Sequence, residues 1–422
     1  MSKRADEQIA GRTDYKWIGK SIPRHEDARL LTGRGTFVDD LNIPNVHHAA
    51  ILRSPHAHAR ISKVDLSRAL NLKGVIGGIT GADVLERTRP FSVVATSPMQ
   101  YYCMATDKVR FVGEPVAAIV ARDRYLAEDA LDLIDVEYET LPAIVDPEKA
   151  VESDAPILHE EVPNNIACHR VLSYGDVDAA FDQADFVLRE RLVFPRYTSM
   201  PLETFAIISS YDHFGGGLTL WSNFMGPFIM HPITARALKI AENNLRFIVP
   251  PDIGGSFGIK TSIYPYLTLL GLLSMQVDVP VKWIEDRREH LLASSVQTDR
   301  VSYREVAVTK TGVVLGFRTK LYDNVGAYLR TPEPATTFRP IGNVVGPYQV
   351  KNLQIDADIV VTNKCPTGPN RAYGCAHLYF EQERLMDKVA KKLNLDPAEV
   401  RLRNFIQPDE FPYTTPTGGI YD

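Results

Sequence analysis

The residues whose types and spacing are best suited to chemistry lie near the middle of the chain. They form Ile248-Val249-Pro250-Pro251-Asp252-Ile253-Gly254-Gly255-Ser256-Phe257-Gly258-Ile259-Lys260-Thr261-Ser262. An apolar run feeds a glycine-rich turn, and a lysine and two hydroxyls follow. Backbone amides unhindered by side chains can donate to an anion or to a metal-bound oxygen. A phosphate loop is the first comparison, and it fails in detail. A GxxxxGK[ST] loop sets its lysine directly after the last glycine so that the ammonium reaches the phosphates. Here Ile259 intervenes and turns Lys260 to another side of the following helix. Pro250 and Pro251 take two ladder donors from the entering strand, and GGSFG lacks the GxGxxG of a dinucleotide fold. A tight strand-to-helix turn is the plain structural reading. A nucleotide-binding protein is the least favoured functional one.

The elements that hold this turn are legible around it. Leu245–Val249 reads as the entering strand, and the apolar stretch Tyr266 to Met275 as a buried helix, too short to span a bilayer. Leu218–Ser222, Phe186–Val193 and Val281–Ile284 read as strands, the last opened by Pro280, where a missing donor costs least. Pro232–Asn243 reads as a helix. Val306–Thr309 and Val313–Tyr322 form a hairpin around Lys310-Thr311-Gly312. Leu378, Leu385, Met386, Val389 and Leu393 share one helical face. Asp396-Pro397-Ala398-Glu399 starts another helix, with Asp396 as cap and Glu399 reaching back. Further upstream, Arg124 to Ile134 reads as a helix and Val136–Glu139 as a strand.

Length and composition bound the possibilities. At 422 residues, two or three domains are expected. The spacing of turns and breaks gives a loose leader over 1–20, a compact α+β unit over 21–150, an acidic, proline-punctuated linker over 151–170 and a second domain over 171–422. A formal charge of -5 leaves no basic footprint for nucleic acid. The polar N-terminus has no apolar secretory segment. The four cysteines, Cys103, Cys168, Cys365 and Cys375, form no CxxC pair, and the histidines show no HExxH, so no metal ligand set is read from spacing. A cytoplasmic protein with reduced thiols fits.

Several segments, in order, resemble the molybdenum hydroxylase large subunits, the family of xanthine dehydrogenase, aldehyde oxidase and carbon monoxide dehydrogenase. The glycine loop resembles that family's GGGFGGK, and Pro280-Val281-Lys282-Trp283-Ile284-Glu285-Asp286-Arg287 resembles RPVKWxEDR. Phe111–Val120 resembles the VGEPVA strand, Tyr138-Glu139-Thr140-Leu141-Pro142 resembles YExLP, Arg371-Ala372-Tyr373-Gly374 resembles RGFG, and Leu395–Arg401 resembles LDPxExR. The resemblance covers nearly the whole chain. It implies an α+β fold with a hammerhead-like N-terminal domain followed by the first molybdopterin-binding domain.

The resemblance also implies a chemistry. The family oxidises a C–H bond with oxygen from water at a molybdenum atom held by a dithiolene pterin, with or without a cytosine dinucleotide extension. A glutamate acts as general base, and electrons leave through 2Fe-2S clusters and FAD. Carried over by position, Gly254, Gly255, Ser256, Phe257, Gly258, Met225 and Arg371 would face the cofactor. Tyr373, Thr261 and Arg339 would face the substrate, an N-heteroaromatic or an aldehyde. Met225 stands in Trp221–Phe228, which resembles WSSTQGPH, at the place of a Gln that bonds a molybdenum oxo ligand; Met has no N–H to give. Thr261 stands where purine oxidisers place a glutamate, which argues against xanthine. Ala372, not cysteine, follows Arg371, so Cys375 reads as a buried structural thiol rather than a copper ligand.

In the family the catalytic glutamate lies near the end of a much longer subunit. The general base is therefore expected on a partner chain, a second molybdopterin-binding subunit, alongside iron–sulfur and FAD subunits. A non-catalytic relative serving as a binding or assembly subunit is the alternative that Met225 favours.

Overall fold

The computed structural model describes residues 15–92 and 99–422, so residues 1–14 of the expected leader lie outside it. Two sheets organise the chain. The first has seven strands, in spatial order Leu245–Ile248, Gly217–Ser222, Ala206–Asp212, Val281–Ile284, His47–Arg53, Pro115–Ala121 and Val75–Thr80. Every residue of Pro115–Ala121 is buried, as expected of a strand covered on both faces. The period of two explains how. Ala118 and Val120 enter the core that holds Leu267 and Leu270, whereas Ala117 and Ile119 enter one that holds Ala130 and Ile134.

This sheet joins strands from both sides of residues 151–170. The seam is the parallel pairing of His47 with Val281 and His48 with Lys282. A buried polar contact ties the same halves together, where the Tyr328 hydroxyl donates to Glu114 at 2.7 Å. Strands Lys108–Val109, Ala59–Asp65 and Asp135–Thr140 form a small separate sheet.

The second large sheet has five strands, in order Ile166–Tyr174, Asn352–Val361, Val314–Gly326, Asp299–Val308 and Phe186–Phe194. Helix Cys375–Leu393 packs on it through Leu385, Met386, Val389 and Ala390, against Val306, Phe317, Leu353 and Ile355. The apolar helix read from Tyr266 to Met275 runs from Tyr264 to Val277, with its first eleven residues buried. The α+β class holds, with sheets and helices as layers around shared cores.

Two local readings are corrected. The helix expected over Pro232–Asn243 spans Pro227–Ala237, with Pro232 inside it. Pro227 fits the first helical position, where its missing N–H is unneeded, and Gly226 turns into it with φ 74°. At the helix that begins with Pro397, Asp396 does cap the N–H groups of Ala398 and Glu399. Glu399 does not reach back; it pairs with Arg403 one turn on, at 2.6 Å.

Candidate functional site

The glycine turn sits where strand Leu245–Ile248 ends and the chain bends toward the buried helix Tyr264–Val277. Its backbone is unusual: φ is 95° at Gly255, 53° at Phe257 and 105° at Gly258. Any other residue at Gly258 is strained, because a Cβ there would stand 2.8 Å from the Pro369 carbonyl oxygen. The amides of Gly255, Ser256, Phe257 and Gly258 have no hydrogen-bond partner among the described residues. The Gly254 amide is used internally and donates to Glu203 Oε2 at 2.7 Å.

Lys260 is spent on the same carboxylate. Its side chain is fully buried, and Nζ lies 3.1 Å from Glu203 Oε2. Burial lowers its pKa, and Glu203 works against that fall. A buried lysine paired beneath the loop cannot reach a phosphate above it, as the inserted Ile259 implied. Glu203 is the residue that sequence reasoning missed. Its only signal was a lone carboxylate in Pro201-Leu202-Glu203-Thr204-Phe205, ahead of a strand. The EDR segment explains how it is held. Glu285 Oε2 accepts from the Phe205 amide at 3.1 Å and from His290 Nδ1 at 2.9 Å, while Arg287 donates to the Pro201 carbonyl at 2.6 Å.

Of the residues expected at the cofactor, Met225 lies against the loop: Ser256 Oγ donates to its Sδ at 3.3 Å, and its own amide to the Lys260 carbonyl at 3.4 Å. Thr261 joins this group by donating from Oγ1 to the Gly258 carbonyl at 2.7 Å. Gly258 in turn abuts Pro369 and Asn370, which lead directly to Arg371. Arg371 is exposed, and its guanidinium makes no bond to any described residue. Arg339 and Tyr373 form a second group, with the guanidinium 5.5 Å from the ring centroid. Segment Pro369–Gly374 connects the two groups. Cys375 is half-buried at the first position of helix Cys375–Leu393, rather than fully buried.

Large apolar side chains stay exposed around the loop: Met200, Leu202, Ile253, Phe257, Met225 and Phe228, with Leu202 at 95% and Phe228 at 91%. A monomer rarely leaves such a group uncovered. Elsewhere, His169, Asp356 and Asp358 converge, but the Lys320 ammonium already sits 2.8 and 2.6 Å from the two carboxylates. Among the described residues no helix is long and apolar enough to cross a membrane.

Comparison with known proteins identifies both domains. Residues 158–405 match the molybdopterin cofactor-binding domain, and residues 32–142 the aldehyde oxidase and xanthine dehydrogenase a/b hammerhead domain. The chain is 35% identical over 96% of its length to the carbon monoxide dehydrogenase large chain of Afipia carboxidovorans, covering 52% of that protein. It is 31% identical to the nicotinate dehydrogenase large molybdopterin subunit of Eubacterium barkeri, covering 93% of this chain and 90% of that one. Quinoline 2-oxidoreductase from Pseudomonas putida 86 superposes with a TM-score of 0.90 at 33% identity, over 96% of this chain and 52% of that one. The chain thus spans about half the length of the first and the last of these. With its two matched domains in the family's order, it belongs to the molybdenum hydroxylase large-subunit family of xanthine dehydrogenase, aldehyde oxidase and carbon monoxide dehydrogenase.

Proposed function

We propose that this chain supplies the glycine-loop wall of a molybdopterin site in a multi-subunit oxidoreductase. That enzyme hydroxylates an N-heteroaromatic or aldehyde substrate with oxygen from water. The observation that carries the proposal is the row of four unpartnered amides, Gly255 to Gly258, held beside Met225 and against Pro369–Asn370. Such a concave row of N–H groups suits anionic oxygens, so the residues present fit the cofactor. Gly255, Ser256, Phe257, Gly258, Met225 and Arg371 would hold it, while Gly254, whose amide is spent on Glu203, anchors the loop from beneath. When bound, molybdenum supplies the Lewis acidity and the two-electron sink for C–H oxidation.

The remaining roles fall to the protein. The Gly255–Gly258 amides bind and orient oxygen ligands. The free fork of Arg371 holds an oxyanion or a carbonyl. Tyr373, stacked under Arg339, offers a ring on which a heteroaromatic stacks, and Thr261 stands at the loop beside Gly258. Asn370 fixes the turn by accepting from Ser199 Oγ at 2.7 Å. The general base is assigned to a second molybdopterin-binding chain. The exposed apolar side chains around the loop support a covering partner, as does the relative of similar length whose name calls it a large molybdopterin subunit. A second molybdopterin-binding chain, an iron–sulfur subunit and an FAD subunit complete the proposed assembly, in the cytoplasm. Two of the three relatives act by name on nitrogen heterocycles, which favours that substrate class.

The test is isotopic. The assembled complex is incubated with quinoline, nicotinate and benzaldehyde in oxygen-18 water, with an artificial electron acceptor. Oxygen-18 in a hydroxylated product supports the proposal. Met225 favours one competing reading, a non-catalytic assembly subunit. A complex purified with its partners that contains no molybdenum would support that reading instead.

A further inference from the structure

Glu333 has no role in the site as described, yet its contacts lead there. It is 1% exposed. Its Oε2 accepts from the Thr336 amide at 3.3 Å and from the Thr336 hydroxyl, while Oε1 has no partner among the described residues. The Thr336 carbonyl packs against Gly374 so closely that a Cβ on Gly374 would stand 1.8 Å from it. One residue on, the Thr337 hydroxyl donates to Asp323, which also accepts from Arg300 Nε at 2.9 Å. The segment from Glu333 to Arg339 is therefore fastened twice before Arg339 reaches Tyr373.

The other side of the contact needs such fastening. Ala372, Tyr373 and Gly374 have φ of 79°, 48° and 85°. Two successive L-residues in the left-handed region persist only where their surroundings over-determine them. The Thr336 carbonyl against Gly374 is one such constraint, and Glu333 holds Thr336.

We propose that Glu333 is a positioning residue for the Arg339–Tyr373 substrate wall, acting through Thr336 and Gly374. This rests on reading those two residues as that wall. The carboxylate is the stronger acceptor for the two Thr336 donors, and protonation weakens both bonds. Burial, with Asp323 adding to it, raises the Glu333 pKa to about 7. The charged and titratable groups acting on it are Asp323 and Arg300 on the strands and Tyr373 on the turn; His377 on the helix acts on Asp323 and Arg300, and Arg339 acts on Tyr373. His377 is held neutral, its pKa well below the usual value because of burial. The wall therefore loosens as pH falls through about 7.

The test uses the purified complex with quinoline as probe, between about pH 6 and about pH 8. Wild-type KM should rise about tenfold as pH falls across this range, with kcat changing by less than about twofold. Glu333→Gln should lose the inflection and keep the higher KM throughout. Thr336→Val, nearly isosteric, should raise KM at about pH 8 in the same direction. An unchanged inflection in Glu333→Gln, or an effect on kcat without KM, overturns the proposal. If the complex does not oxidise quinoline, the substrate reading fails separately, and hydrogen exchange on the full chain decides about Glu333. The Tyr373 and Cys375 amides, bonded to the Asn370 and Ala372 carbonyls at 2.8 and 2.9 Å, should exchange about tenfold faster in Glu333→Gln at about pH 8 and equally at about pH 6. Equal exchange at both overturns the proposal.

Discussion

Replacing Glu203 with Leu separates what holds the loop from what the loop holds. Lys260 Nζ sits 3.1 Å from Glu203 Oε2 with its side chain fully buried, and among the described residues it makes no other hydrogen bond. Removing one partner of a buried pair leaves the other charge unpaired, at a cost of about 3–5 kcal/mol. The lost Gly254 amide bond at 2.7 Å adds about 1 kcal/mol. Lys260 can escape part of this by releasing its proton. Its folded pKa is already lowered by burial, so the folded state binds fewer protons than the unfolded one, and the variant should regain stability as pH rises. In Glu203→Leu with Lys260→Met both charges are gone, and an apolar pair of similar volume costs little or nothing. Urea unfolding of the full chain should show a drop of about 4 kcal/mol in the single variant and recovery to within about 1–2 kcal/mol in the double. Molybdenum content of the complex should stay low in both, because the Gly254 amide has lost its anchor in each. A single variant as stable as wild type would refute the reasoning. So would a double variant that recovers full molybdenum loading.

Gly258→Ala should cost about 1–3 kcal/mol and deplete molybdenum, since φ is 105° and the new Cβ meets the Pro369 carbonyl. Gly342→Ala, with nothing within 4 Å, is the control, and denaturant midpoints compare the two. His159 is buried and bonds through Nε2 to the Ala327 carbonyl at 2.7 Å; burial, with Arg110 adding to it, pushes its pKa down to about 3. The unfolded chain takes this proton below about pH 6.5 and the fold does not, so stability is full above that pH and falls as pH drops toward 3. The loss by about pH 5 is about 2 kcal/mol, and urea titrations should show a shallower acid limb in His159→Gln. Met225→Gln should leave stability within about 0.5 kcal/mol, because Met225 is 47% exposed. It should raise turnover of the complex by supplying the missing N–H donor; lower turnover would mark Met225 as the adapted residue.

The loop, its entering strand and its buried helix were legible because glycines, prolines and an unbroken apolar run act locally. The inserted Ile259 was enough to disqualify Lys260 as a phosphate ligand. The destination of Lys260 was not legible, because Glu203 lies 57 residues away in the chain and nothing in its own neighbourhood marks it. The seven-stranded sheet was hidden for a similar reason. His47 and Val281 pair in parallel across more than half the chain, and strand pairing leaves no periodic trace. Pro232 misled through a true rule applied one turn late: proline does open that helix, but it is Pro227. The link between Arg339 and Tyr373 depends on two turns meeting in space, which spacing alone does not encode.

The most direct measurement is the molybdenum and pterin content of the complex purified with its partners, for wild type and for Gly258→Ala. If the Gly255–Gly258 amides seat the cofactor, wild type should carry about one molybdenum per chain with an equal amount of pterin, and Gly258→Ala, still folded by circular dichroism, should carry less than about a tenth of that. A folded wild-type complex without molybdenum, or full loading in Gly258→Ala, would contradict it.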